Sequence, residues 1–376
     1  MVGKKRKHGW QSIREFVSEG VMLALPLCFP GESVPPPAGE TAMNVLALDP
    51  TGTVYCGTCG ARAHVLAAVI HQDSGIIHDL GVVPGATSVD GLMVHEDSLI
   101  VAASGPDGSA IWKTERFYGT FLIQEWGLAR SSFEKVCDIA PDERIAHAIA
   151  GRNSDEMLGL TATSGKVFRV DLSDRGVHTL GELSRHERWA PQVALDRVGR
   201  LWGSCGAARL WWCDVASELL EVTHLVVPGA AGRAQHTQVS AWALDSLSGA
   251  FYAGTLPDGF LFTFDPETFQ VKALGKPCRQ DWVTCLAIGN DGRVFGMAGA
   301  EDDIGHLFCY DPVDGSLRDL GIPVSTLTAR QYGYHYRCAV AGQGGEIYFG
   351  QHERVNHLWV YFPAIRRQDS ARPSSS

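Results

Sequence analysis

The residues most suited to chemistry lie together near the end of the chain, in the segment QYGYHYR at positions 331–337. Histidine can act as a base near neutral pH, tyrosine can donate a proton, and the planar fork of arginine grips a carboxylate. β-Elimination on a uronic-acid sugar needs these three functions, because the carboxylate beside the abstracted proton must be neutralised. We therefore predict His335, Tyr334 and Arg337 as catalytic residues.

Residues of the same types occur in two further loops, one around His236 and one around His352, and we expect both loops to lie near this segment. His236, in the segment RAQHTQ, is the fourth catalytic candidate. A metal-dependent alternative uses His236, His335 and His352, which would suit a divalent transition metal; no other cofactor is expected. The candidates for substrate contact are Tyr332, Tyr336, Arg330, Trp189, Arg188, His147, Trp282, Gln351 and His352.

Composition and missing motifs exclude several classes of function. The net charge of -10 argues against nucleic-acid binding, which needs clustered lysine and arginine. The sequence has no G-x-S-x-G, Walker or dinucleotide-binding motif, so hydride transfer and nucleotide hydrolysis are disfavoured. The apolar run 21–30 is too short to span a bilayer. Ten scattered cysteines suit a reducing compartment, and we expect a cytoplasmic monomer without excluding secretion.

A repeated pattern of short strands runs along almost the whole chain. Each unit has a β-branched or aromatic strand, a loop of small residues and a partner strand, and units recur every 43 to 58 residues, roughly. The first strands of these pairs are TVYCGT, SLIVAA, EMLGLT, RLWGSC, AFYAGT, RVFGMA and EIYFGQ. With the strands before and after each pair, this predicts four short strands per unit and seven units.

The repeat predicts an all-β fold, a seven-bladed β-propeller of four-stranded blades that forms one domain over residues 16–367. Residues 1–15 are predicted to be a polar tail and residues 368–376 a disordered tail. Because the last unit lacks one strand, residues 20–28 are predicted to complete it and close the ring. Three histidines in the same position of the repeat are predicted to be structural; they are His64, His306 and His357.

The "DP…G…DLG" cadence of the units resembles the seven-bladed propellers of polysaccharide lyases and of virginiamycin B lyase-like proteins. The resemblance covers almost the entire chain but rests on blade residues, and no blade has the Trp-Asp ending of WD40 repeats. It implies a site on the axial funnel that uses His, Tyr and Arg. We therefore expect a lyase that performs β-elimination on a uronic-acid-containing glycan. The alternatives are a non-catalytic scaffold that binds a protein or glycan partner on the same face, and a metal hydrolase of another propeller type.

Overall fold

The computed structural model describes residues 16–27, 36–71, 74–116, 132–183, 188–300, 303–325, 331–353 and 356–365. These residues form β-strands, turns and one short 3-10 turn at Ala234–His236, and they contain no α-helix. None of the helical structure described is long or apolar enough to cross a membrane. The predicted tails, 1–15 and 368–376, lie outside the described residues.

The strands pair into seven antiparallel groups of four, here called blades 1 to 7. Blade 1 contains β2 (Ala42–Leu48), β3 (Val54–Cys59), β4 (His64–His71) and β5 (Ser74–Val82). Blade 2 contains β6 (Ser88–His95), β7 (Ser98–Gly105), β8 (Gly108–Glu115) and β9 (Glu134–Ala140). One bridge, Cys59 to Ser88, joins these two blades into an eight-stranded sheet.

The next four blades are separate sheets. Blade 3 contains β10 (Ile145–Ala150), β11 (Glu156–Thr161), β12 (Lys166–Asp171) and β13 (Gly176–Glu182). Blade 4 contains β14 (Ala194–Leu195), β15 (Arg200–Cys205), β16 (Arg209–Asp214) and β17 (Leu219–Val226). Blade 5 contains β18 (Gln238–Leu244), β19 (Phe251–Leu256), β20 (Leu261–Asp265) and β21 (Gln270–Gly275). Blade 6 contains β22 (Val283–Ile288), β23 (Val294–Ala298), β24 (His306–Asp311) and β25 (Ser316–Gly321).

Blade 7 joins the two ends of the chain. It contains β28 (Tyr336–Ala341), β29 (Ile347–Gln351), β30 (His357–Phe362) and β1 (Val21–Pro26). β1 pairs with β30 along its full length, from Val21 opposite Phe362 to Pro26 opposite His357. The predicted closing strand is therefore present. A short hairpin, β26 (Val324–Ser325) with β27 (Gln331–Tyr332), lies between blades 6 and 7.

The hydrophobic core is divided among the boundaries between blades. Seven clusters of buried apolar side chains each join two neighbouring blades, and one of them joins blade 7 to blade 1. Glycines allow this close approach: a Cβ on Gly57 would lie 2.4 Å from Val89 of the next blade, and one on Gly254 would lie 2.2 Å from Val283. The blades thus form a closed ring, and the predicted all-β propeller is confirmed.

The repeated histidines hold strands together within their own blades. The His64 Nδ1 lies 3.0 Å from Asp79, and the His306 Nδ1 lies 3.1 Å from Asp319; each carboxylate belongs to the following strand and its "DLG" sequence. His357 instead bonds through its backbone N–H to the side chain of Gln351 at 3.1 Å. These contacts agree with the structural role predicted for the three residues.

Candidate functional site

A β-bulge in the innermost strand of most blades aims one extra residue at the axis. The strand pairing shifts register between Met43 and Val45, and the same shift recurs at the equivalent place in blades 2, 3, 5, 6 and 7. A bulge leaves its extra residue outside the ladder and re-aims its side chain. The bulged residues are Asn44, Asp90, Ala146, Ser240, Thr284 and Arg337. All six line the cavities on the axis.

Two connected cavities lie along this axis. The wider one, here called the mouth cavity, has a volume of about 450 Å³ and is lined by Asp90, Arg144, Trp189 and His352 among others. The narrower one, the axial cavity, has a volume of about 220 Å³ and is lined in part by His147. Asn44 and Arg337 line both cavities and mark where they meet. The mouth cavity is in the usual size range of small-molecule sites.

The mouth cavity contains two positive charges that the described residues do not neutralise. Arg337 and Arg144 make no side-chain hydrogen bond or ion pair with any residue that the structure describes. The nearby carboxylate of Asp90 is only 4% exposed. It accepts hydrogen bonds from Ser88 at 2.5 Å and Asn44 at 3.2 Å, and also from Ser104. Both guanidinium groups are therefore available to a ligand.

Burial makes the histidines of the site neutral at physiological pH. The cost of burying charge, followed by the positive charge of Arg337, lowers the pKa of His147 to about 4. The same two causes, in the same order, lower the pKa of His352. Burial is also the largest cause for His335, whose pKa falls to about 4. Each of these three rings therefore has one protonated and one unprotonated nitrogen.

Hydrogen bonds fix which ring nitrogen is free in two of these histidines. The Nδ1 of His352 lies 2.9 Å from the Met43 carbonyl, which can only accept, so Nδ1 carries the proton and the lone pair is on Nε2, which lies 4.0 Å from the Cys59 Sγ. In His147 the Nδ1 accepts the Val193 N–H at 3.3 Å, so Nε2 carries the proton. The two rings thus present an acceptor and a donor, respectively.

The QYGYHYR segment is hydrogen-bonded to the loop after β29. The Glu353 carboxylate accepts the backbone N–H groups of Tyr334 at 2.5 Å and His335 at 3.0 Å. The His335 ring packs edge-on against Trp282 and His352, with centroids 6.3 and 5.6 Å away. Its Nδ1 is buried and has no hydrogen-bond partner among the described residues. His335 therefore supports the wall of the site next to His352.

The structure places the tyrosines of this segment in different environments. Tyr334 is 38% exposed, whereas Tyr336 is 1% exposed and packs against Trp359 in the core between blades 6 and 7. Tyr332 is half-buried in β27. The two tyrosines differ because Tyr334 lies in the loop before β28, whereas Tyr336 is the first residue of that strand. Tyr336 is therefore a core residue and lines neither cavity.

The remaining predicted residues divide into those near the mouth and those away from it. Trp189 lines the mouth cavity, and Arg188 beside it is exposed. Gln351 is 2% exposed, and its side chain accepts hydrogen bonds from His357 and Trp359, so its role is structural. Arg330 lies outside the described residues.

The structure gives no support to a metal centre made from the predicted histidines. His236 is exposed on the 3-10 turn before blade 5, where its Nε2 lies 3.2 Å from Gln235. Within the described ranges, no group of three or more His, Cys, Asp or Glu side chains is arranged to hold a metal ion. His236, His335 and His352 therefore do not form one.

Sequence reasoning missed Asp90, Asn44 and Arg144. A signal for the first two exists in the repeat, because the inner strands align as MNV, VDG, IAH, VSA, VTC and YRC, with the bulged residue in the middle. A polar residue at the centre of a buried apolar run is unusual. The recurrence of that position in successive blades marks the residues that face the axis.

Comparison with known proteins identifies the fold. No protein-family model matches the sequence, and comparison with curated proteins gives no match. A streptogramin B lyase structure is similar, with a TM-score of 0.68 at 12% identity over 92% of this chain and 99% of that chain. A catalytically inactive His-to-Ala variant of virginiamycin B lyase from Staphylococcus aureus, with quinupristin, has a TM-score of 0.64 at 10% identity over 92% and 99% of the two chains. The RRP9 WD40 repeats have a TM-score of 0.54 at 11% identity over 93% and 99%. The fold is thus shared with lyases and with WD40 proteins.

Proposed function

We propose that the protein is a lyase that performs β-elimination in the mouth cavity on a glycan that contains uronic acid. The observation that carries this proposal is the pairing of an unpartnered Arg337 with a neutral His352 in one cavity. Elimination next to a carboxylate needs a base that is unprotonated at neutral pH and a cation that stabilises the carbanion-like state. The cavity contains both.

The roles follow from the hydrogen bonds of the rings. His352 removes the proton through Nε2, because its Nδ1–H is already donated to the Met43 carbonyl. Arg337 holds the substrate carboxylate. The Nε2–H of His147, in the adjoining axial cavity, donates a hydrogen bond to the leaving oxygen, which takes its proton from solvent. Trp189 offers a flat face for a sugar ring, and exposed Tyr334 extends the rim.

The test is formation of an unsaturated product, followed by its ultraviolet absorbance, on a panel of uronic-acid oligosaccharides and polysaccharides. Streptogramin B belongs in the panel because lyases named for it share the fold. His352→Gln and Arg337→Lys should each lower turnover at least a hundredfold, roughly the contribution of an acid–base or charge-stabilising group. The matched control is His178→Gln, an exposed histidine on β13 outside both cavities.

No product from any substrate, with the wild-type protein folded, would refute the lyase. A metal requirement would appear as activity lost to EDTA and restored by a divalent ion. We propose that the protein acts as a cytoplasmic monomer without nucleic-acid or membrane partners, which size-exclusion chromatography and cell fractionation would check.

A non-catalytic scaffold is the second candidate, and the similarity to WD40 repeats favours it. Tyrosine and arginine are common anchors of protein interfaces, and Tyr334 is exposed at the rim. In a scaffold, Tyr334→Ala should weaken partner binding while Tyr334→Phe has little effect, because the ring supplies most of the contact area. Affinity capture with the two variants, compared directly, distinguishes the scaffold from the enzyme.

A further inference from the structure

The carboxylate of Asp90 is buried but is not paired with either arginine of the mouth cavity. Its three hydrogen-bond donors, Ser88, Ser104 and Asn44, are all neutral. The Ser104 hydroxyl donates its proton to the Asp90 carboxylate, which when ionised can only accept, and its oxygen accepts the Ile145 N–H at 2.9 Å. Neutral donors thus occupy the oxygens that Arg144 and Arg337 would otherwise bind.

The two arginines reach the cavity from opposite sides of the ring. Arg337 is the bulged residue of blade 7, and Arg144 immediately precedes the first strand of blade 3. Those blades lie three positions apart, the largest separation that a ring of seven allows. Both positive charges nevertheless act on Asp90, which blade 2 places on the arc between them. An anion that contacts both guanidinium groups therefore lies in the cavity that Asp90 also lines.

We propose that the mouth cavity binds a carboxylate ligand between Arg144 and Arg337, and that Asp90 takes up one proton when the ligand binds. The inference deepens the proposed function, since it names the bound group and adds a proton to the binding step. Neither arginine is hydrogen-bonded to Asp90, so a ligand carboxylate that engages both arginines leaves the buried Asp90 charge beside a second negative charge, and this favours protonation of Asp90. The proton comes from solvent, and protonated Asp90 can donate its O–H to the ligand.

The surroundings of Asp90 support this assignment. Burial raises the pKa of its carboxyl above the usual range, although the hydrogen bonds from Ser104 and Ser88 and the charges of Arg144 and Arg337 oppose the rise. The other titratable groups that line the cavity are Cys59 and His352. Burial raises the pKa of the Cys59 thiol, which keeps it neutral. Among the described residues that line the cavity, His352 is the competing proton acceptor, so the test must separate it from Asp90.

The experiment is isothermal titration calorimetry of the full chain with D-galacturonate in two buffers of different ionisation enthalpy. This monosaccharide has no glycosidic bond to break, so binding is measured without elimination. We expect the wild-type protein to take up close to one proton, and its Kd to rise about tenfold per pH unit above neutrality. Asp90→Asn should abolish the uptake and tighten binding at pH 8, whereas His352→Gln should leave the uptake unchanged.

Charge variants test the position of the anion. Arg144→Gln and Arg337→Gln should each weaken binding at least about tenfold, the usual scale of a lost charged hydrogen bond. The control is Lys135→Gln, which removes an exposed charge on the outer strand of blade 2. Thermal melting of every variant verifies folding, and the pH dependence of the wild-type Kd needs no variant at all.

Three results would overturn the inference. The first is that the wild-type protein does not bind galacturonate measurably, and the second is that it binds without taking up a proton. The third is that Asp90→Asn still takes up the proton while His352→Gln does not. Equal affinity of the wild type and both arginine variants would also overturn it. The outcome is independent of catalysis. Galacturonate can bind with proton uptake to a protein without lyase activity, and an active lyase can bind it without proton uptake.

Discussion

Closure of the ring depends on a glycine at the start of the closing strand. Gly20 has a φ of +77°, and a Cβ there would lie 2.5 Å from the carbonyl oxygen of Phe362 and 2.7 Å from the Tyr361 ring. The adjacent Glu19 anchors the same segment, because its carbonyl accepts the Tyr361 hydroxyl at 3.0 Å. Little movement is therefore available to relieve the contact, and we expect Gly20→Ala to weaken closure.

A matched control separates the cost of the backbone conformation from the cost of the steric contact. Gly292 has a nearly identical φ of +80°, but a Cβ there would have no neighbour within 4 Å. Left-handed backbone costs alanine roughly 1–2 kcal/mol at either position, and overpacking adds roughly 1–3 kcal/mol at Gly20 alone. Gly20→Ala should therefore lower the free energy of unfolding by about 2–5 kcal/mol, and Gly292→Ala by about 1–2 kcal/mol.

Urea denaturation measures both values, and hydrogen exchange locates the damage. In Gly20→Ala the amides of β1 and β30 should lose protection before the rest of the ring, and the exposed edge should promote association on size-exclusion chromatography. In Gly292→Ala these two strands should stay protected. Equal stability and equal protection in the two variants would show that steric contact at Gly20 does not control closure.

Three further predictions concern buried groups. The Tyr336 hydroxyl is buried without a hydrogen-bond partner among the described residues. Tyr336→Phe should therefore leave the melting temperature unchanged or raise it. A clear decrease in melting temperature would show that the hydroxyl is hydrogen-bonded. His306→Ala should cost roughly 1–2 kcal/mol on urea denaturation at pH 7 through loss of the Asp319 contact, and an unchanged midpoint would contradict the structural role. Burial lowers the pKa values of His147 and His335 to about 4 from the ordinary value of 6.5. Between pH 6.5 and pH 4 the unfolded chain therefore binds more protons than the folded protein does. The free energy of unfolding should thus fall as pH decreases from 6.5 to 4. Each histidine contributes at most about 3 kcal/mol to this decrease in the free energy of unfolding. Replacing either one with glutamine should flatten the dependence of the free energy of unfolding on pH. An unchanged slope would show that the replaced histidine is not buried as a neutral ring.

The repeat of short strands was sufficient to predict the propeller, the closing strand and the structural histidines. This works because blade strands are local: β15 and β16, for example, are joined by a short loop and identified by their own apolar patterns. The last blade lacked a strand in the sequence, and an unpaired sheet edge must be covered. The N-terminal run β1 was the available segment, and it is paired as expected.

The composition of the site depended on tertiary structure. Tyr334, His335 and Tyr336 are adjacent in sequence, yet one is exposed, one supports the cavity wall and one lies in the core, because the first two lie in the loop before β28 and the third begins that strand. Asp90 and Arg144 come from blades 2 and 3, and of the two only Asp90 has a signal in the repeat, as the polar residue at the centre of its inner strand. The closure of the ring and the extra residue in each bulged inner strand decide which side chains meet on the axis. Neither of these two features is a property of a short segment. Local pattern thus determines the strands, whereas the convergence of the blades determines which charges are left unpaired at the mouth.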